Sequence, residues 1–240
     1  MIFVLFICFF IFLFSTFLLA RDDFVLVRKD VTTEKVFNIA FMMFAISILS
    51  ARILYTISNP SSNFLSPLVF LLFPYFPGLS LAGGVGGGVL FLLILSRLQK
   101  LPTGRVFDIF SISVLSSLPF GILGYFLLSG DNIFSPRPIA LFLIYIAMFI
   151  FFLKFFLPKM LSRRFKDGTV GFLFLTFFSV VFLVDNAVGR ENKLNFFIED
   201  LILILLLYTS LVFLFRQEKV FRKIRKYLFR HLTTTRGRVK

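Results

Sequence analysis

The chain has 240 residues and a mean hydropathy of +0.95, and 58% of its residues are hydrophobic. A soluble domain of this size has no core large enough for so much apolar surface, so the composition excludes a water-soluble fold. The net charge of +14 follows from the membrane topology described below, and we expect no nucleic-acid partner.

Seven apolar stretches run along the chain, and a helix that crosses a bilayer core of roughly 30 Å needs about 20 mostly apolar residues. The sequence therefore predicts an all-α polytopic membrane protein, with one seven-helix domain over residues 1–216 and a basic tail over 217–240. The predicted spans are Ile2–Ala20, Val36–Ile57, Leu79–Ser96, Phe107–Leu128, Ile139–Phe152, Val170–Val184 and Phe196–Phe215.

Lysine and arginine are sorted between alternate connections. The connections after the first, third and fifth spans, together with the carboxyl-terminal tail, hold 22 of them, whereas the other three connections hold three. The remaining cation, Arg52, lies within the second span. Because cytoplasmic connections carry the excess of lysine and arginine, we predict an external amino terminus and a cytoplasmic carboxyl terminus.

The first apolar stretch is interpreted as a retained helix rather than a secretory signal peptide. Its apolar run has 19 residues, no basic side chain precedes it, and Ala20 leads directly into Arg21. Cys8 in this stretch is the only cysteine, which excludes an internal disulfide, and we expect a buried structural thiol.

Two segments have both a structural and a functional interpretation. Residues 217–232 place apolar side chains three to four positions apart among basic ones, as in an interfacial amphipathic helix or a solvated tail. His231 in this tail, the only histidine, has no partner for metal binding or catalysis. Three prolines interrupt Phe64–Gly78, which is either a re-entrant segment over the outer mouth or a plain connection.

The segment Pro77–Leu90 is rich in glycine. It lacks the preceding strand that a phosphate-binding loop requires. Gly84 and Gly88, like Gly83 and Gly87, are four residues apart, so each pair lies on one helix face. Such a face allows a neighbouring helix to approach closely.

Five blocks, in order along roughly residues 21–190, resemble the prolipoprotein diacylglyceryl transferase family. They are Ser50–Tyr55 (SARILY, similar to GARLxY), Gly78–Gly87 (GLSLAGGVGG, similar to GLSFHGG), Lys100–Phe110 (KLPTGRVFDIF, similar to a basic turn with a downstream aspartate), Pro119–Leu128 (PFGILGYFLL, similar to GRxGNF) and, less sharply, Val170–Asp185 (similar to a helix with YxxxRFxxE).

The resemblance implies the transfer of a diacylglyceryl group from phosphatidylglycerol to the lipobox cysteine of a secreted preprotein, with release of glycerol phosphate. This chemistry needs cations that hold the phosphate and a means of removing the thiol proton. In the family, arginines of GRxGN and YxxxR are the cations, and the histidine of HGG is the candidate base. The resemblance also implies seven helices in the bacterial plasma membrane, phosphatidylglycerol and a lipobox-bearing preprotein as partners, and no cofactor or metal.

The chain departs from the family where the charged chemistry is expected, so we assign no catalytic residue. The family positions are occupied by Ala82 (histidine), Ile122 (first arginine), Tyr125 (asparagine), Phe177 (tyrosine) and Val181 (second arginine). The candidate lipid-binding residues, which match or conservatively replace family residues, are Arg52, Asp185, Gly83, Gly84, Gly121 and Gly124. Either Gly130 or Asp131 lies near a further acidic position, and Arg137 and Arg190 are candidates to replace a missing cation.

The predicted topology brings the family positions on four helices to one depth in the outer half of the membrane. An arginine within a span is costly unless it faces protein, water or phosphate. Arg52 is therefore expected to contact a lipid headgroup, to reach the outer interface or to pair with Asp185, and we hypothesise this pair. Asp108 lies at the opposite side, where we expect contact with a helix amino terminus or with Arg105.

The sequence thus predicts a divergent diacylglyceryl transferase with weak or altered activity. The alternative is a non-catalytic relative that keeps a cavity for a phospholipid or lipopeptide. A small transporter is less favoured because the spans contain few polar residues and no inverted repeat.

Overall fold

The computed structural model describes residues 2–21, 23–60, 78–129, 136–188 and 198–217. All regular elements in these ranges are helical, which confirms the predicted fold class. They are α1 (Ile2–Arg21), α2 (Phe24–Arg28), α3 (Thr33–Ser58), α4 (Leu81–Leu98), α5 (Thr103–Ser129), α6 (Pro136–Phe151), a π-helical turn (Phe152–Phe156), α7 (Leu157–Leu161), α8 (Thr169–Val188) and α9 (Ile198–Gln217).

Within the described ranges, seven helical segments are long and apolar enough to cross a membrane, as predicted. The fourth of them, α5, is the central helix, because 72% of its apolar window is buried against 17–39% in the other six. The outer helices expose large apolar side chains, for example Phe3, Phe10 and Phe14 of α1. In a membrane protein such side chains face the hydrocarbon.

The fifth span is longer than predicted. The hydropathy pattern predicts its end at Phe152, but the helix continues through the π-helical turn and α7 to Leu161. Lys154 and Lys159 therefore belong to the helical segment. The predicted boundary is wrong because a lysine near the end of a span does not end a helix, since its apolar stem lets the ammonium group reach the interface.

The connection after α1 contains a short helix, α2, that the sequence analysis does not predict. Oδ1 of Asp23 accepts hydrogen bonds from the backbone N–H groups of Val25 and Leu26, at 3.0 and 3.2 Å. The side chain of Leu26 is buried in the bundle, whereas Phe24 and Val27 are exposed. The aspartate N-cap and the buried leucine thus both contribute to holding this single helical turn.

The glycine face of α4 packs against α3, and this prediction is confirmed. A Cβ added at Gly83 would lie 2.7 Å from Cβ of Leu54 and 2.9 Å from the carbonyl oxygen of Ser50. Gly84, Gly87 and Gly88 face the same helix, whereas Gly86 faces α9. The glycines act by letting two helix backbones approach closely.

The two ends of the bundle differ in charge. We call the end with the lysine- and arginine-rich connections the basic end, and the end where α3 and α8 finish and α4, α6 and α9 begin the far end. At the basic end, Arg105 forms a buried ion pair with Asp23, from Nε to Oδ2 at 2.7 Å and from Nη2 to Oδ2 at 2.5 Å. Its Nη1 donates to the carbonyl oxygen of Met160 at 2.9 Å. One guanidinium thus joins the start of α2 to α7.

Asp108 of α5 caps the amino terminus of α8. Its Oδ2 accepts a hydrogen bond from the backbone N–H of Gly168 at 2.7 Å, and its Oδ1 accepts one from Gly171 at 2.8 Å. The expected contact with a helix amino terminus is confirmed, although the helix is α8 rather than its own. The buried carboxylate thereby satisfies two N–H groups that a helix cannot pair internally.

Candidate functional site

Two of the motif blocks meet at the far end, where α4 begins. The backbone N–H of Ser80 donates to the carbonyl oxygen of Ala51 at 3.1 Å, and Nη1 of Arg52 donates to that of Gly78 at 2.7 Å. Gly78 has φ of +141°, and a Cβ there would overlap the ring of Tyr55. Only glycine fits this position. These contacts fasten the start of α4 to the end of α3.

A cavity of about 820 Å³ lies inside the bundle, with walls from α1, α3, α4, α5, α6, α8 and α9. We call it the main cavity. Its volume is within the range of about 300–1,000 Å³ that is usual for ligand sites. Most of its wall is apolar and includes Phe9, Phe12, Met43, Leu92, Leu118 and Phe174.

The charged residues that line the main cavity lie at the far end. Arg137, in the first turn of α6, forms two hydrogen bonds with Asp185 in the last turns of α8, from Nε to Oδ1 at 2.8 Å and from Nη2 to Oδ2 at 2.9 Å. The side chain of Arg137 is 46% exposed and that of Asp185 is 10% exposed. The guanidinium charge is thus already compensated by a carboxylate, in a geometry that favours both partners.

A second polar contact lies beside this pair. Nδ2 of Asn186 donates to Oδ1 of Asp200 at 3.0 Å and joins α8 to α9. Glu199, the neighbour of Asp200, is half-buried and lines the main cavity. Within the described ranges, no cation lies within ion-pair distance of Glu199. The described lining therefore carries one guanidinium and two carboxylates.

Two buried hydroxyl groups that border the main cavity have no hydrogen-bond partner in the described part of the chain. They belong to Tyr145 in the middle of α6 and Ser58 at the end of α3. The side chain of Tyr145 is fully buried. Buried hydroxyls without a partner are costly and rare, so each of them is available to a bound molecule with a suitable acceptor.

The structure separates the predicted site residues into two groups. Those that line the main cavity are Gly84, Gly121, Gly124, Ile122 and Asp185. Those outside its lining are Arg52, Ala82, Gly83, Phe177 and Val181. The side chain of Tyr125 and residues Gly130, Asp131 and Arg190 lie outside the described part of the chain, as do the segment 61–77 and the tail from residue 218.

The helix face of α8 that meets the main cavity differs from the face that the motif indicates. Phe177 is 40% exposed, with its ring against that of Phe152, and Val181 packs against the core. The residues of α8 that line the cavity include Phe174, Phe182 and Asp185. Val181, which the motif resemblance assigns to the second arginine of the family, is thus not among the residues that line the main cavity.

The predicted pair between Arg52 and Asp185 is wrong. Both carboxylate oxygens of Asp185 accept hydrogen bonds from Arg137, and the described contact of Arg52 is with the carbonyl oxygen of Gly78. The side chain of Arg52 is only 2% exposed. Its described contact is structural, because it holds the connection into α4.

Sequence reasoning missed three polar residues of the cavity. Tyr145 is the single polar side chain within the predicted apolar span Ile139–Phe152, and this isolation could have marked it as a candidate site residue. Ser58 and Glu199 lie at helix ends, where polar residues are ordinary. Cys8, expected to be buried, is half-buried and lines the main cavity beside Gly121.

Over the described ranges, no group of three or more His, Cys, Asp and Glu side chains is arranged to hold a metal ion. Seven spanning helices around a largely apolar cavity with a charged far end define a multi-pass membrane protein whose interior suits an amphipathic molecule.

A family model, prolipoprotein diacylglyceryl transferase, matches residues 2–216. The chain belongs to this family of transferases in lipoprotein biosynthesis, and the predicted family is confirmed. No curated protein matches the sequence.

Proposed function

We propose that this protein takes a phospholipid into the main cavity and transfers its diacylglyceryl group to a lipobox cysteine with weak or altered activity. One observation carries the proposal: the apolar cavity ends at a charged mouth where the cation of the described lining, Arg137, is already bound by Asp185. The apolar wall of the main cavity can accommodate a phospholipid. The pairing of Arg137 with Asp185 leaves less positive charge to stabilise the phosphate during transfer, so we expect a low rate.

The shape of the main cavity supports a phospholipid as the ligand. Its apolar wall matches acyl chains, and its charged end matches a headgroup. Because bilayer lipid solvates acyl chains as well as apolar side chains do, transfer into the cavity gains little from the chains alone. Selection therefore depends on headgroup contacts at the far end, where the Ser58 hydroxyl borders the cavity, and the Tyr145 hydroxyl borders it deeper in the bundle.

The reaction requires positive charge near the phosphate that leaves. Attack of the thiol on the glyceryl carbon breaks the bond to the phosphate oxygen, and glycerol phosphate departs with the bonding electrons. The first family arginine is replaced by Ile122, which lines the main cavity, and the second by Val181, which does not. Loss of one preorganised electrostatic group commonly costs about 10²–10³ in rate. Arg137 can assist, but its charge is already compensated by Asp185.

The thiol proton also needs an acceptor. Ala82, at the family histidine position, is fully buried and outside the cavity lining, so it offers neither a base nor a place for one. We assign the proton to the carboxylate of Glu199, which lines the main cavity without a cation at ion-pair distance in the described chain. A carboxylate is a weak base for a thiol, which again favours slow transfer.

The second candidate function is that of a non-catalytic relative that holds a phospholipid or lipopeptide. The observation in its favour is that Ile122 presents an apolar side chain to the cavity where the family has a guanidinium. In either case we propose that the far end is external, as the sorting of cations indicates. We also propose that the protein lies in the bacterial plasma membrane, as its family suggests.

The decisive experiment incubates the purified protein with phosphatidylglycerol and a lipobox peptide, and detects the diacylglyceryl peptide by mass spectrometry. We expect product at a rate about 100-fold or more below that of a family member with the histidine and both arginines. Bound lipid without product would support the non-catalytic function. Absence of both lipid binding and product would refute the proposal.

Cys8 provides a reporter for lipid in the main cavity. It lines this cavity and is the only cysteine of the chain. We expect phosphatidylglycerol to slow its modification by a small methanethiosulfonate reagent. The matched control is the variant Cys8→Ser with Phe10→Cys, because Phe10 is 67% exposed on the outer face of α1. Equal protection of both cysteines would mean that the lipid does not enter the cavity.

A further inference from the structure

A second cavity, of about 630 Å³, lies at the basic end between α2 and the connection from α7 to α8. We call it the basic cavity. Its lining residues are Val25, Arg28, Lys29, Arg163, Phe165, Lys166 and Asp167. Four cations thus face one carboxylate, and Asp167 also has Nη1 of Arg105 at 3.9 Å. The basic cavity carries an excess of positive charge that calls for an anionic ligand.

Two of the four cations have contacts that hold the wall of the basic cavity. Nζ of Lys166 donates to the carbonyl oxygen of Gln217 at 2.5 Å, and the guanidinium of Arg163 lies 4.8 Å from the centre of the Phe24 ring. The cation–π contact places a positive charge against the outer side of α2. Arg28 and Lys29 are exposed at the end of α2 and complete the charged wall.

The surroundings of the basic cavity are those of a membrane interface. Phe24 and Val27 of α2 are 64% and 62% exposed, and Leu161 at the end of α7 is 54% exposed. Exposed apolar side chains beside a row of cations are typical of a segment that lies at the level of lipid headgroups. A ligand in this position is therefore expected to bring acyl chains as well as negative charge.

We propose that the basic cavity binds the phosphate headgroup of an anionic phospholipid from the leaflet at the basic end. Arg28 and Lys29 contribute the charge that attracts the phosphate, Arg163 and Lys166 shape the wall, and Phe24 and Val27 contact the acyl chains. This site shares no lining residue with the main cavity, whose charged residues lie at the far end. It does not depend on transfer activity.

The experiment uses the full chain in nanodiscs that contain phosphatidylglycerol with a photoreactive diazirine in one acyl chain. After illumination, adducts are mapped by mass spectrometry to peptides of the basic cavity (residues 23–29 and 157–167) and of the main cavity. The test variant carries Arg28→Gln and Lys29→Gln. The matched control carries Arg97→Gln and Arg164→Gln, two exposed basic residues of the same end that do not line the basic cavity.

We expect the test variant to lose adducts at the basic cavity by about 30-fold, because each cation near an anionic surface contributes about a fivefold preference. The control should change them less than about threefold, and adducts in the main cavity should not change in either variant. An equal loss of basic-cavity adducts in the test and control variants would overturn the site, because it would mean that the basic end as a whole attracts anionic lipid without a specific site. Absence of main-cavity adducts from the unaltered protein, with basic-cavity adducts present, would count against the proposed function and leave this site standing.

A second arm distinguishes a lipid from a free phosphate. Inorganic phosphate and glycerol phosphate, added at millimolar concentration and constant ionic strength, should not displace the photoreactive lipid from the basic cavity. Displacement by either would assign the site to a soluble phosphate and overturn the lipid as its ligand. Phosphatidylcholine with the same diazirine should give weaker labelling, since its headgroup is neutral overall, and equal labelling would contradict the selection of negative charge.

Discussion

Arg137 and Asp185 connect α6 to α8 through two parallel hydrogen bonds at the end of the main cavity. They are 48 residues apart in the chain and belong to helices whose motifs do not predict a pair. The guanidinium is nearly half exposed, whereas the carboxylate is almost buried. A phosphate that approaches Arg137 therefore competes with a carboxylate that is already in place.

This competition predicts opposite effects for two substitutions. Asp185→Asn removes the charge that compensates Arg137, so we expect phosphatidylglycerol to bind about fivefold more tightly, which corresponds to about 1 kcal/mol for a partly exposed pair. Arg137→Gln should weaken binding by a similar factor, and the double variant should resemble Arg137→Gln. Titration of the lipid against the modification rate of Cys8 measures all three. Weaker binding by Asp185→Asn would show that the carboxylate itself holds the lipid.

The family position at Ile122 predicts a gain of activity. Because Ile122 lines the main cavity, Ile122→Arg places a guanidinium against the bound phosphate, and we expect the transfer rate to rise by about 10-fold or more. Ile122→Gln is the matched control, since it adds polarity and length without charge. The production of diacylglyceryl peptide by each variant is compared at equal folded concentration. A rise with glutamine as large as that with arginine would exclude an electrostatic cause.

The cap at the start of α8 predicts a strong effect on stability. In Asp108→Asn one of the two acceptors becomes an NH₂ group that faces a backbone N–H, so we expect a loss of about 2–3 kcal/mol in the free energy of unfolding. Asp30→Asn is the control, because Asp30 is exposed with φ of 52°, which asparagine tolerates well. Reversible denaturation in detergent measures both. Similar stabilities of the two variants would contradict the cap.

The packing of α4 predicts that neighbouring glycines respond differently to alanine. Gly83→Ala should lower stability by about 1–3 kcal/mol, since its Cβ would lie 2.7 Å from Cβ of Leu54. Gly86→Ala should be neutral or stabilising by up to about 1 kcal/mol, because its Cβ has 3.6 Å to the nearest atom and alanine favours a helix. Thermal unfolding distinguishes the variants. The reverse order would mean that α4 is rotated.

The sorting of cations predicts the orientation in the membrane. In a Cys8→Ser background, an impermeant maleimide added to intact cells should modify Asn59→Cys at the far end and should not modify Ser162→Cys at the basic end. Both residues are exposed. After permeabilisation both cysteines should react. Modification of Ser162→Cys alone in intact cells would invert the topology and place the main cavity mouth in the cytoplasm.

The number and order of the spans can be predicted from the sequence because hydropathy is a local property. The glycine face of α4 is also predictable, since spacing decides which residues share a face. Spacing does not decide where that face points, however, and Phe177, Val181 and Asp185 illustrate the limit: they are four residues apart, but only Asp185 lines the main cavity.

The partners of charged residues are the least predictable part of the site. Arg52 and Asp185 are predicted to lie at the same depth in the membrane, which makes them candidates for a pair. Depth does not determine how each helix is rotated about its axis, however, so it does not determine which side chains face each other. In the structure, Arg137 donates hydrogen bonds to Asp185, and Arg52 donates one to the carbonyl oxygen of Gly78. Arg52, predicted to bind lipid, thus has a structural contact because its side chain lies on a different face of the helix from the one assumed.

The two ends of α8 are held by bonds of different kinds. At its amino terminus, the buried carboxylate of Asp108 accepts hydrogen bonds from the backbone N–H groups of Gly168 and Gly171. At its other end, Asp185 forms a partly exposed side-chain pair with Arg137, in which another anion can replace the carboxylate. The Asn186–Asp200 hydrogen bond also holds the far end of α8, so loss of the Arg137–Asp185 pair alone would leave this end attached to α9. An anionic headgroup that displaced Asp185 from Arg137 would therefore release α8 from α6 at the far end, while Asp108 would keep the other end of α8 in place.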